Sequence, residues 1–415
     1  MLSVGNEKRE GKQRIETSKV HIYAEEVEIK SKKLKGHPDK PNPDLICFDN
    51  LRSKLQNCIG QIISVTIRGC CDPFEGRLTK VEGELLIFDR IRAIPICDVT
   101  SFSPIFLAYA TNSGDGPDDD TVSVVSTASN MEIAARIPVG DNPLGVAITP
   151  DGSRVYVTNS FGHTVSVIST ATNTEILPRI SVGDFPFGIA ITPDGTRAYV
   201  TNLNGNNVSV INIATNSEIF PRIPVGLNPV AIAITSDGSR AYITNSFSDN
   251  ISVIKISTNT EKLPRIPVGT LPIGIAITPD GTRAYVTNGI GDGIGDTVTV
   301  IRTATNTVID PPIPVGDAPR GIAITPDGSR AYVTNLFDNT VSVINTATNT
   351  VIGAPIPVGQ GPIRIAITPD GSRAYVTNID ENSLSVIDTA TNTEILPRIQ
   401  VGDFPFDIAI TPNCV

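Results

Sequence analysis

The sequence predicts an all-β protein. Its larger part reads as a seven-bladed β-propeller of four-stranded antiparallel blades, preceded by a small β-barrel-like domain and a disordered tail. Three observations predict the propeller. Tyr-Val-Thr-Asn or a near variant occurs seven times, with tyrosines at 109, 156, 199, 242, 285, 332 and 375. The steps between them are 47, 43, 43, 43, 47 and 43 residues, a period that marks a repeat architecture. No unit contains a helix-length 3.6-residue apolar pattern, which rules out the helical solenoids.

Composition agrees. Of 415 residues only 18% are charged, Trp is absent and Met occurs twice. Val, Ile, Thr, Gly and Pro take their place, the chemistry of sheets punctuated by turns. A net charge of −10 argues against nucleic acid or an anionic membrane as the main partner. No stretch approaches the roughly 18 apolar residues of a membrane helix. The first 30 residues lack the apolar core of a secretory signal, so export by the ordinary route is not expected.

Residues 1–44 are rich in Lys, Glu, Ser and Asp and close on HPDKPNPD. Such a segment buries too little apolar surface to offset its ordering entropy, and a flexible polar tail is expected. Residues 20–29 (VHIYAEEVEI) are the exception, with β-branched residues that could add a strand to a partner. Residues 45–105 alternate apolar and polar at 59–67, with shorter apolar runs at 85–88 and 94–96 and acidic or glycine-bearing turns between. That rhythm predicts a small barrel of the SH3 type. The succession Ile59-Gly60, Glu75-Gly76-Arg77-Leu78 and Ile94-Pro95-Ile96-Cys97-Asp98-Val99 resembles the strand rhythm of Sm-like barrels. No loop here has the basic and aromatic character that RNA reading needs, so an interaction module is expected.

Five of the six cysteines, Cys47, Cys58, Cys70, Cys71 and Cys97, lie in this domain, and Cys414 nearly ends the chain. None forms a CxxC pair, so a zinc site would need unusual spacing. Disulfides within the domain or between molecules need an oxidising compartment. Reduced thiols are the leading reading and cross-linking into a coat is the alternative.

From residue 106 the repeat takes over. Its clearest copies run Ile-Pro-Val-Gly, a Pro-bearing step, Gly-Ile-Ala-Ile-Thr-Pro-Asp-Gly and Arg-Ala-Tyr-Val-Thr-Asn; a polar loop, Val-Ser-Val-Ile and Thr-Ala-Thr-Asn-Thr follow. Each copy reads as four strands. Residues 149–152 place Pro and Asp in the middle of a tight turn and Gly where positive φ is wanted. Tyr and Val of the motif suit a packed sheet, Thr and Asn are read as leading into a turn, and Gly183 as letting the chain swing to the next unit. Ile-Thr-Pro or Ile-Thr-Ser recurs at 148, 191, 234, 277, 324, 367 and 410, so the chain starts inside one unit and stops one strand into another. Strand 407–411 is therefore expected beside strand 107–112, completing a seventh blade and removing two exposed sheet edges.

Over about 310 residues these units resemble the YVTN-family β-propeller repeats, also called surface-layer-type repeats. The resemblance implies a seven-bladed propeller, often in cell-surface or envelope proteins of bacteria and archaea, usually without a demonstrated enzymatic role. Related propellers include lactonases and quinoprotein-like folds, so fold alone does not settle function. The missing signal sequence departs from typical surface members and leaves the location open.

Candidate sites are departures from the repeat. The residue after Pro-x is Gly145, Gly188, Gly274 or Gly321 in four units and Ala231 in one, but Arg364 and Asp407 in the last two. Arg320 stands one residue earlier in its unit. Together the three read as a pocket for a small anion or carboxylate at the channel mouth, or as an ion pair closing the ring at its seam, which is preferred. His163 has no Ser or Cys nucleophile at recognisable spacing and reads as solvated surface. Loops 112–120 and 288–296 are four residues longer than their fellows. Asp115, Asp118, Asp119 and Asp120 in the first could hold Ca²⁺, although neither loop has EF-hand spacing and solvated acidic loops are preferred.

The expected function is a non-enzymatic scaffold for protein interaction or envelope structure, with no cofactor and a protein partner or envelope component. A lactonase-like or other hydrolytic propeller with a site at the channel mouth is one alternative. A cysteine-cross-linked coat component is the other. The sameness of copies such as RISVGDFPFGIAITP and RIQVGDFPFDIAITP argues for duplication with little divergence toward a specialised site.

Overall fold

A computed structural model describes residues 62–67, 74–82, 85–88, 94–95, 99–104, 106–114, 120–289 and 296–412, the first five segments through their backbone alone. The polar tail with residues 20–29, all six cysteines, and Asp115, Asp118 and Asp119 lie outside the described residues. The first five segments form one antiparallel sheet. From edge to edge its strands are Ile94–Pro95, Leu85–Phe88, Phe74–Glu82, Ile62–Ile67 and Val99–Pro104. Among the described residues the two edge strands are not paired with each other.

Seven four-stranded antiparallel blades follow, as the repeat predicts. Their innermost strands are Pro143–Ile148 (blade I), Pro186–Ile191 (II), Pro229–Ile234 (III), Pro272–Ile277 (IV), Pro319–Ile324 (V), Pro362–Ile367 (VI) and Pro405–Ile410 (VII). Each pairs antiparallel with a motif strand, Arg154–Asn159 in blade I, and two further strands complete the blade, there Thr164–Ser169 and Thr174–Ser181. Neighbouring innermost strands meet all the way round, VII against I included, so the ring is closed. The expected seam is present: Ala409 lies opposite Tyr109 and Ile410 opposite Ala108. In blades V and VII the outermost strand is broken, into Thr350–Val351 and Ile356–Pro357 in one and Met131–Glu132 and Ile137–Pro138 in the other. Blade V breaks at Gly353, whose φ of 70° no extended strand accommodates.

The core lies between blades. Tyr156, Val165 and Val167 of blade I pack against Ala198, Val200 and Ile211 of blade II, and equivalent clusters recur around the ring. Small and β-branched side chains fill these narrow wedges, which is why Trp is not needed.

The motif also stitches blades through its polar atoms. Tyr156 and Tyr199 donate to the carboxamide oxygens of Asn216 and Asn259 in the following blade, at 2.7 and 2.6 Å, and Tyr375 does the same across the seam to Asn130. Arg154 donates to the carbonyl of Ile213, also one blade on. Thr158 Oγ1 accepts the Gly145 N–H of its own blade at 2.8 Å and donates to the Phe187 carbonyl of the next at 2.7 Å. All seven motif threonines repeat this pair of bonds. Thr and Asn are thus fully buried residues that end the motif strand, and the expected turn follows them at Ser160. The Val-Gly glycine is no swivel. A Cβ at Gly183 would lie 2.3 Å from the Asn202 carboxamide carbon, so glycine is required there by close approach. The positive φ of that step falls on Phe185 instead.

Strand alternation gives the disc two distinct ends. Thr-Pro-Asp-Gly and Thr-Ala-Thr-Asn turns share one, here the turn face. Loops after the motif Asn and the Val-Gly steps share the other, the loop face.

Candidate functional site

The innermost strands line the channel, and the residues after their opening proline decide its chemistry. The second residues are Leu144, Phe187, Val230, Ile273, Arg320, Ile363 and Phe406. Phe187 and Phe406 belong to blades separated by blade I, yet their rings meet edge to face with centroids 5.4 Å apart. These side chains therefore converge near the axis. The third residues are glycine where blades approach closely: a Cβ at Gly145, Gly188 or Gly274 would lie 2.3, 2.5 or 2.2 Å from a carbonyl oxygen of the next blade. Blades VI and VII place Arg364 and Asp407 there instead.

The structure brings Arg320, Arg364 and Asp407 to consecutive blades, toward the loop-face end of the channel, each intermediate in exposure. It does not pair them as expected. Among the described residues Arg364 and Asp407 form no ion pair within 4.0 Å, so the seam is not closed by one. Blade VII instead meets blade I through Asp407 itself. Its Oδ2 accepts the Val146 N–H at 3.2 Å, its Oδ1 accepts the Ile408 N–H at 2.9 Å, and its own N–H donates to Thr111. The Arg364 guanidinium carbon sits 5.8 Å from the centroid of the Phe406 ring, a cation–π contact. Among the described residues neither the Arg320 nor the Arg364 guanidinium has a hydrogen-bond acceptor.

The electrostatics follow from that enclosure. Burial raises the Asp407 carboxyl above its ordinary range, against the opposing pull of Arg364 and the two backbone N–H groups. Burial lowers Arg364, with Asp407 opposing. Burial also lowers Arg320; repulsion from Arg364 adds to this, and attraction to Asp296 at the end of the second long loop opposes it. Guanidinium groups stay protonated in proteins, so the cluster carries two cations beside one hydrogen-bonded carboxyl.

The other candidates fare differently. His163 Nδ1 accepts the Phe185 N–H at 3.1 Å and lies 3.4 Å from Asp184. Asn206, Asp249, Asn339 and Asn382 cap the corresponding step in other blades, so His163 is a loop cap rather than merely solvated surface. Asp120 is half-buried where its loop enters the third strand. Among the described residues no group of three His, Cys, Asp or Glu side chains could hold a metal ion. Residues that sequence reasoning missed are Phe187 and Phe406; their aromatic character at a position otherwise Leu, Val, Ile or Arg was the available signal.

Fold and site define a seven-bladed β-propeller with a cationic cluster in its channel. No protein-family profile matches the chain, and no curated protein matches it. Solved structures do. Hydrazine synthase of Kuenenia stuttgartiensis matches at 26% identity and a TM-score of 0.59, covering 68% of this chain and 95% of that one. A candidate 6-phosphogluconolactonase of Bacteroides fragilis matches at 19% identity and a TM-score of 0.61, over 74% of this chain and 98% of that one. The periplasmic gluconolactonase of Pseudomonas aeruginosa matches at 17% identity and 0.61, over 74% and 99%. At such identities the lactonases share the fold alone. They still correct one expectation, that of a protein without catalytic activity. It rested on near-uniform blades, and the same architecture carries proteins named as enzymes.

Proposed function

We propose that the protein hydrolyses a small anionic cyclic ester, a lactone of a sugar acid, at the loop-face end of the channel. The observation that carries the reading is the cluster of Arg320, Arg364 and Asp407, two guanidiniums without acceptors among the described residues beside a carboxyl. The names of the gluconolactonase and of the candidate 6-phosphogluconolactonase support the reaction class. On this reading the arginines hold the anionic substituent and the oxyanion that forms on the acyl oxygen. The Phe187–Phe406 pair offers the ring an apolar floor. Asp407 takes a proton from the attacking water as the acyl carbon–oxygen ring bond breaks, and passes it to the departing alkoxide, leaving a hydroxy acid. A raised carboxyl pKa brings Asp407 nearer to neutral pH, where a general base works best.

The test is proton release in a pH-stat with 6-phosphoglucono-δ-lactone, for wild type, Asp407→Asn and Arg364→Ala. Turnover above the buffer rate, reduced on the order of 100-fold or more in Asp407→Asn, is expected. A wild-type rate equal to buffer, or an Asp407→Asn rate equal to wild type, refutes the assignment. Kinship with the YVTN repeat proteins belongs to the same proposal and is supported by the seven motif copies.

A further inference from the structure

The turn face carries a second departure from the repeat, independent of the channel. Residues 106–415 contain only two lysines, Lys255 and Lys262, and both belong to blade III. Lys262 stands where the other six units have Ile, Ser257 where they have Ala, and Ser236 where they have Pro. All four residues line one cleft of about 1070 Å³, beneath the turns of blades II and III.

The register explains how. Val253 lies opposite Lys262 and Lys255 opposite Thr260, so Val253, Lys255 and Lys262 share one face of the sheet. The two lysines stand diagonally across adjacent strands, about 7–8 Å apart at the backbone. In blades I, II, IV and VI the equivalent isoleucines, Ile176, Ile219, Ile309 and Ile395, pack against the core. Lys262 turns an apolar packing position into an exposed cation beside Val253 and Ile256.

The other charges of the cleft are occupied. Asp194 and Asp237 accept from Thr192 and Thr235 within their own turns, and Glu261 takes Arg265. Arg197 and Arg240 donate to the carbonyls of Ile256 and Thr303. Among the described residues neither lysine has an acidic partner within 4.0 Å. Two free ammoniums thus stand over apolar side chains, in a volume suited to a small molecule.

We propose that this cleft binds a small organic dianion with an apolar body, its charge held between Lys255 and Lys262 and its body against Val253 and Ile256. Ser236 and Ser257 supply hydroxyls that the other blades lack. The proposal does not depend on lactone hydrolysis, because the cleft lies on the opposite face from the channel cluster.

Isothermal titration calorimetry of the full chain with phenyl phosphate tests it, using benzoate as the monoanionic control. Lys262→Ile and Lys255→Ser install residues that other blades tolerate, so both variants are expected to fold, with circular dichroism as the check. Phenyl phosphate is expected to bind more tightly than benzoate, to lose about tenfold in affinity in either variant, and to weaken as salt rises. Binding is expected to persist in Arg364→Ala. Absence of binding, affinity unchanged in the folded double variant, or loss only in Arg364→Ala overturns the proposal. The last outcome would move the site to the channel.

Discussion

The threonine stitch gives the most direct test of how the blades cohere, and Thr201→Val isolates it. Thr201 is fully buried; its Oγ1 accepts the Gly188 N–H at 2.8 Å and donates to the Val230 carbonyl of blade III at 2.8 Å. Valine keeps the shape and removes both bonds, leaving a buried donor and acceptor bereft of that hydroxyl. Each such loss costs about 1–3 kcal/mol, so a total of about 2–6 kcal/mol is expected. For a propeller of some 300 residues the unfolding entropy is about 0.6 kcal/mol per degree, so the melting midpoint should fall by about 3–10 °C. Thr201→Ser keeps the hydroxyl and should lose less than half as much. Calorimetric melting of the three proteins decides the matter. If Thr201→Val melts within about 1 °C of wild type, the threonine bonds do not hold the blades together and the motif acts through apolar packing alone.

Further consequences concern turns, glycines and the channel. Asp194, Asp237, Asp280 and Asp327 are held below the ordinary carboxylate range, chiefly by the Thr hydroxyl two residues before each. Their folded pKa values are depressed, so their contribution is present above the unfolded pKa and lost as pH falls through the folded one. Thermal melts below about pH 4 should therefore show a decline that becomes shallower in Asp237→Asn. Gly183→Ala puts a Cβ 2.3 Å from the Asn202 carboxamide and should cost more than about 2 kcal/mol in urea unfolding. Gly353→Ala meets no atom within 4 Å and should cost only the strain of its φ of 70°, about 1 kcal/mol. If lactone hydrolysis is found, Arg364→Ala should move the acidic limb of the rate profile to higher pH, because Arg364 opposes the rise of the Asp407 pKa. A limb that stays put would separate the two residues.

The fold was legible because periodicity reports it seven times over. Tyr109 and Ile410 each opened or closed a series out of phase with the other, and that mismatch was enough to predict their pairing across the seam. The roles of the motif's polar atoms were not legible. A threonine hydroxyl that bridges two blades looks, in sequence, like one that starts a turn, because its acceptor lies 29 residues away in Val230. Close approach is equally hidden. Gly183 reads as a flexible step until the Asn202 side chain is seen to occupy the space of its missing Cβ. The channel cluster was half visible: position named Arg364 and Asp407, but only the folded structure shows that Asp407 bonds to blade I instead of to Arg364.

A repeat protein carries its own control for reading function, since six blades state what the seventh would be without special demands. Uniform blades were first a reason to expect no specialised site. The same uniformity argues the other way once departures are placed in space. Arg364 and Asp407 replace glycine where four other blades cannot accept a Cβ, so the loop-face end of the channel differs there in shape as well as charge. Lys262 replaces an isoleucine that is half-buried against the core in blades I, II, IV and VI, which gives up part of that apolar burial for an exposed cation. Neither change improves a blade as a blade. Drift would scatter such costs around the ring, whereas here each set converges, one on the axis and one on a single cleft. Convergence of costly departures, and not their number, is what separates a site from a variable surface in this chain.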